Sequence, residues 1–129
     1  MTRIEGRTPN APRPAGPYSQ VARIGAIVAV AGQVGIDPAT GSLASDDVSA
    51  QTAQTFRNIA AALSASGCGL DDVVRVDVFL ASMEDFHAMN EAYELVFSPP
   101  YPARTTVGVS LAPGVKVEIT VLAVAPGSQ

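Results

Sequence analysis

Five side chains in this sequence are placed where they could do chemistry, and each also has a plainer role open to it. Arg104 stands in Tyr101-Pro-Ala-Arg-Thr-Thr, at the head of a strand-like run after a proline-rich loop. Its guanidinium is a planar fork of donors that fits a carboxylate through two parallel hydrogen bonds. By position alone, an ordinary surface ion pair accounts for it better. Glu118 lies in Val115-Lys-Val-Glu-Ile-Thr-Val, a largely apolar run. The pattern favours a solvated face shared with Lys116 and Thr120. In a pocket, burial would raise its pKa and a neighbouring arginine would lower it, and it could orient a water or relay a proton. Tyr18 follows Gly16-Pro17, whose backbone is stiff, so it serves equally well as a packing plug or as a hydroxyl aimed at a ligand. His87 sits beside Phe86, one step off an apolar stripe, and reads as a shield for the core edge rather than a base. Cys68 follows Gly67 with no histidine or basic residue beside it in sequence to lower its pKa, and reads as an inert thiol.

Composition narrows the chemistry further. With one cysteine and one histidine, no intrachain disulfide, no cysteine-based zinc site and no His-rich metal site can form, and any triad would have to use His87. Eight basic and twelve acidic residues give a net charge of −4 with no basic run, which argues against nucleic acid or an anionic membrane as partner. Neither a dinucleotide-binding nor a phosphate-loop glycine motif occurs. No apolar stretch is long enough to span a bilayer, and the polar N-terminus lacks the apolar segment of a signal peptide. A reduced, cytoplasmic setting is the default expectation. At 129 residues, 47% hydrophobic and 16% charged, the chain fits a single domain, residues 1–129, with a sizeable core.

Several elements must position these residues. Met1 to Pro17 is proline-rich and polar and reads as an extended arm, residues 1–14 in the domain assignment. Ala26 to Ala31 is a short apolar run ended by Gly32, a buried strand. Asp37 to Gly41 is turn chemistry. Val48, Thr52, Phe56, Ile59, Ala60 and Leu63 recur at helical spacing and predict a helix over Asp46–Ser66, capped by Ser45 or Asp46 and ended by Gly67. Val73 to Leu80 reads as a strand with Val74, Val76, Val78 and Leu80 on one side. A second helix is predicted from Met83 to Phe97, opened by a capping-box-like Ser82 and Asp85 and closed by Pro99-Pro100. Arg104–Ser110 and Val115–Ala125 read as strands joined by a turn at Leu111–Gly114. The outcome is α+β: a mixed sheet with two helices on one face. Val115, Val117, Ile119 and Val121 are assigned to the uncovered face, where they are too apolar for water and predict self-association. If the last two strands formed a hairpin, Arg104 and Glu118 would face opposite sides or stand well apart. A bulge, another pairing, or a cleft between two subunits would then be needed to join them.

Several stretches together resemble the RidA/YjgF/UK114 family, also called reactive intermediate deaminases. They are GPYSQ (Gly16–Gln20), AGQ with IDPATG (Ala31–Gln33, Ile36–Gly41), QTAQTFRNI (Gln51–Ile59), VDVFL (Val76–Leu80), the Asp85–Glu94 segment, PAR (Pro102–Arg104) and VKVEI (Val115–Ile119). They run in family order from about Pro14 to Ala125. The resemblance implies a chorismate-mutase-like fold and a homotrimer with ligand clefts between subunits. It implies hydrolysis of 2-imino and enamine acids, such as 2-iminopropanoate and 2-iminobutanoate, to 2-keto acids and ammonia, with no cofactor and no metal. It assigns carboxylate binding to Arg104 and water handling to Glu118, and it places Tyr18, Asn90, Thr106 and Gly32 around the ligand. Two positions depart from better-known members: Ala31 where serine is frequent and Thr106 where cysteine is frequent, and both bear on substrate preference and rate.

Overall fold

The computed structural model describes residues 1–127. In chain order the elements are β1 (Ile4–Gly6), β2 (Val21–Ile24), β3 (Ile27–Val34), β4 (Ile36–Asp37), β5 (Ser42–Leu43), α1 (Val48–Ser64), β6 (Val73–Leu80), α2 (Phe86–Glu94), β7 (Ala103–Gly108) and β8 (Val117–Val124). Six strands form one sheet in the order β1-β2-β3-β8-β6-β7, and β4 and β5 make a small hairpin. All neighbours in the large sheet are antiparallel except β6 and β7, which run parallel because α2 carries the chain across between them. Both helices cover the same face. No helix among the described residues is long and apolar enough to cross a membrane.

Each helix begins and ends where local chemistry dictates. Asp47, in extended conformation, caps α1, its Oδ2 accepting from the Ala50 amide at 2.9 Å. The cap is therefore one residue after Asp46 and two after Ser45; Ser45 Oγ instead accepts from the Asp47 amide. Gly67, at φ +74°, ends the helix as its position requires. The second helix is shorter than predicted: Met83–Asp85 form a 3-10 turn, with Ser82 Oγ accepting from the Glu84 amide, and α2 stops at Glu94, before the prolines.

The sheet corrects three expectations. First, β7 and β8 do not form a hairpin: β8 lies between β3 and β6, and β7 pairs with β6 at the edge. Second, Val115, Val117, Ile119 and Val121 are buried against the helices, since the central strand of the sheet supplies the core. The opposite face carries a different set, among them Ile27, Phe79, Leu122 and Val124, interspersed with Asp77, Glu118 and Thr120. Third, a register shift between Val73 and Arg75 leaves Val74 49% exposed, so it does not join Val76, Val78 and Leu80 in the core. The arm also departs from a simple tail. Ile4–Gly6 add an edge strand against β2, and the buried Gln20 side chain holds the following segment by donating to Thr8, Ala11 and Pro12 carbonyls.

Strand β3 runs through Gly32 rather than ending there, because Ala31 and Gly32 together oppose Thr120 in a β-bulge, which turns Gln33 into the core. Beyond the bulge, two buried amides of α1 fasten loops to the helix. Asn58 Nδ2 donates to the carbonyls of Val34 and Ile36 at 3.0 and 2.9 Å. Gln51 Nε2 donates to Ser45 and Gly114 carbonyls, and its Oε1 accepts from the Lys116 amide, so one side chain fixes the entry to β8. Gly35 allows this approach, since a Cβ there would lie 2.7 Å from the Gln51 carbonyl oxygen. Replacing Asn58 with Ala strands two carbonyls and should cost about 2–3 kcal/mol in urea unfolding. A loss below about 0.5 kcal/mol would show that the amide does not hold the end of β3.

Candidate active site

Arg104 is placed by β7 and its register. It lies beside Val76, and Thr106 beside Val78, in the parallel β6–β7 pair. Both partners are buried on the helix side, so Arg104 and Thr106 face α2. The guanidinium carbon rests 4.7 Å from the Tyr93 ring centroid and 5.7 Å from that of Phe86. These aromatics are seven residues apart on α2 and so share a face. Among the described residues Arg104 has no carboxylate partner and donates no hydrogen bond, although Glu94 lines the same cavity. That cavity, of about 300 Å³, is walled by Asn90, Tyr93, Glu94, Tyr101, Pro102 and Arg104. Among the described residues, the buried side-chain polar atoms that lack a hydrogen bond are Asn90 Oδ1, Tyr93 OH and Thr106 Oγ1, all on residues at or beside this cavity. A larger groove of about 720 Å³ between α1 and α2 gathers no such atoms. A cation with a free fork, held on an aromatic floor next to unspent donors and acceptors, is equipped to bind a small organic anion.

Glu118 belongs to the other side of the sheet. Its neighbours in β8, Val117 and Ile119, point into the core, so Glu118 points away from the helices, beside Phe79 and Val34. It is half-buried, with its carboxylate folded over Gly32: a Cβ at that glycine would lie 2.5 Å from Glu118 Oε2. The bulge and the missing side chain thus make room for the carboxylate. On the same face Thr120 Oγ1 donates to Asp77 Oδ2 at 3.4 Å, and Arg75 pairs with Asp77, but Glu118 takes part in no ion pair among the described residues.

The expected residues therefore fall into three groups. Arg104, Asn90 and Thr106 gather on the helix side, Glu118 and Gly32 on the open side, and Tyr18 stands apart in the arm loop. Tyr18 is 52% exposed, and its hydroxyl accepts from the Ala15 amide at 3.0 Å. It is a braced surface side chain rather than a core plug. His87 is exposed with its ring edge-on to Phe86 at 6.0 Å, so it does not shield the core. Cys68 is buried, and that burial, aided by Asp72 and opposed by Arg23, pushes its thiol pKa up, in keeping with an inert thiol. Tyr93 is not among the residues expected around the ligand, yet it lines the Arg104 cavity. Its hydroxyl was the available signal, since a buried tyrosine ordinarily finds a partner.

The model of the family described as Endoribonuclease L-PSP matches residues 8–125. A RutC family protein of Pyrococcus horikoshii is 46% identical over 117 residues, covering 90% of this chain and 93% of that protein. A Salmonella typhimurium protein named 2-iminobutanoate/2-iminopropanoate deaminase is 40% identical over 121 residues, covering 91% and 94% of the two chains. Among solved structures, Escherichia coli TdcF with bound serine superposes with a TM-score of 0.89 at 33% identity, covering 95% of this chain and 99% of that one. With the motifs in order along the chain and the same mixed sheet under two helices, this chain belongs to the Endoribonuclease L-PSP family, to which the RidA/YjgF proteins also belong.

Proposed function

We propose that this protein hydrolyses reactive 2-imino and enamine acids of the 2-iminopropanoate and 2-iminobutanoate type to 2-keto acids and ammonia, as a cytoplasmic homotrimer. The observation that carries the reading is the unpaired Arg104 fork on its Tyr93–Phe86 floor in a cavity of substrate size. The deaminase name of the Salmonella relative supports the reaction class.

Arg104 takes the substrate carboxylate through two hydrogen bonds and thereby fixes the imine carbon. Glu118 orients a water and accepts its proton as oxygen attacks that carbon. That proton passes to the imine nitrogen to complete the carbinolamine; on collapse the hydroxyl proton follows to the same nitrogen through the Glu118 carboxylate, the C–N bond breaks, ammonia leaves and a C=O bond remains. Within one chain Arg104 and Glu118 occupy opposite faces of the sheet, so the working pair is Arg104 of one subunit with Glu118 of the partner subunit. The uncovered sheet face, with Ile27, Phe79, Leu122 and Val124, supplies the apolar surface for that assembly. Tyr18, Asn90, Thr106 and Gly32 border the ligand. Hydrolysis in this scheme needs neither cofactor nor metal.

A second reading is a non-enzymatic binder of small carboxylates, favoured by the bound serine of the TdcF structure. Glu118 separates the two. Glu118→Gln should abolish release of 2-ketobutanoate from imine generated in the assay while leaving 2-ketobutanoate affinity within about twofold; normal turnover in the variant would remove Glu118 from the mechanism, and a wild-type protein that binds 2-ketobutanoate yet releases none from imine would leave only the binder. The family description also names endoribonuclease activity. A net charge of −4 and a single histidine offer neither a basic groove nor a histidine pair, and salt-sensitive RNA binding would overturn the deaminase reading.

Arg104→Ala should lower kcat/KM by about 10²-fold or more with the fold intact, and undiminished turnover would remove the mechanism. Co-assembling Arg104→Ala with Glu118→Gln subunits tests the shared site: random trimers should regain about a quarter of wild-type activity, whereas a site within one chain would regain none. Gly32→Ala should displace the Glu118 carboxylate and lower kcat, with the thermal midpoint nearly unchanged; retained kcat would mean that the carboxylate need not lie over the bulge.

A further inference from the structure

We propose that Tyr93 is a binding and positioning residue for the substrate carboxylate: its ring holds the Arg104 guanidinium, and its hydroxyl gives the carboxylate a third hydrogen bond. The inference rests on the reading of Arg104 as the carboxylate site.

Packing fixes the ring. Phe56 meets it edge-on with centroids 5.7 Å apart, and Phe97 lies tilted against it at 5.0 Å. Tyr93 is 4% exposed, so neither ring nor hydroxyl is free to swing. Arg104 rests 4.7 Å from the ring centroid, where the quadrupole attracts a cation. The floor holds the guanidinium in one place without neutralising it, whereas a carboxylate partner would occupy the fork. The hydroxyl itself is buried and makes no hydrogen bond to any described residue. An unpaired buried hydroxyl is costly, and a tyrosine kept in place of phenylalanine there needs a compensating partner.

The cavity lined by both Tyr93 and Arg104 is where such a partner enters. A bidentate arginine uses one lone pair on each carboxylate oxygen, leaving others for a further donor. A neutral phenol is that donor. Burial pushes the Tyr93 pKa up, against a smaller opposing pull from Arg104, so the proton stays on the hydroxyl through the neutral range. Asn90, one helical turn away and with its own unpaired Oδ1, is left for the nitrogen end of the ligand.

Tyr93→Phe removes the hydroxyl and keeps the floor, and calorimetric titration with 2-ketobutanoate and with butanoate reads the result. Both affinities should fall about tenfold, KM should rise in parallel, and kcat should stay within about twofold. The thermal midpoint should hold or rise, because an unsatisfied polar group has been deleted; a purely structural hydroxyl would instead lower it. Tyr93→Leu removes floor and hydroxyl together and should weaken both probes further. Unchanged affinity in Tyr93→Phe, a loss confined to the keto acid, or a loss accompanied by a lower midpoint would overturn the hydrogen bond. Equal losses in the two variants would overturn the role of the ring. If the wild-type protein binds butanoate but releases no keto acid from imines, the deaminase reading fails and the Tyr93 contact stands; if it binds neither probe, both fail.

Discussion

Successive side chains of a β-strand face opposite sides of the sheet, and this alternation decides where chemistry can occur in the molecule. Arg104 shares a face with Val76 and Val78, and Glu118 shares the other with Phe79. No rotamer carries either side chain through a sheet whose helix side is a packed core. The cation and the carboxylate are thus separated by the fold that positions them. A proposed assembly in which the open face of one subunit meets the cavity edge of another satisfies both the unpaired groups and the exposed apolar residues at once.

Polar side chains carry much of the positioning. Gln51 and Asn58 are fully buried in α1, and each has its hydrogen-bonding capacity largely met by loop backbone. Through Gln51 the helix sets the start of β8, and therefore Glu118. Through Asn58 it sets the end of β3, just past the bulge over which the Glu118 carboxylate lies. The site on the other side is built differently. Arg104 is held by the faces of two aromatic rings rather than by an acid, which restrains the guanidinium and leaves its donors available.

The legible parts of the fold were those with a strong local cause. β6 matches its expected span, Val73–Leu80, because it is a run of alternating β-branched residues, and the Gly67 stop of α1 follows from its positive φ. The α2 boundary was misjudged because apolar residues at Val96 and Phe97 continue the helical pattern after the backbone has left the helix. Val74 and the Ala31–Gly32 segment were misplaced because a bulge has no reliable mark in a single sequence, and one extra residue reverses the facing of everything beyond it. Of the residues proposed for the site, Arg104, Asn90 and Glu118 stand in motifs that mark them for attention in the sequence. Tyr93 carries no such mark, because its ring packs in the core with Phe56 and Phe97, and the role proposed for its hydroxyl depends on the cavity above it.

Residue types and their order along the chain determined the chemistry available: one guanidinium fork after a proline loop, one carboxylate in the last strand, no cysteine or histidine cluster, and the family these mark. They also determined that two helices would pack on a mixed sheet, since periodicity is a local property. Tertiary structure alone decided which strands are neighbours, and with that the face each functional side chain occupies. Strand pairing is set by long-range packing of the whole core, which placed β8 at the centre and β7 at the edge and so put Arg104 and Glu118 on opposite sides of one sheet.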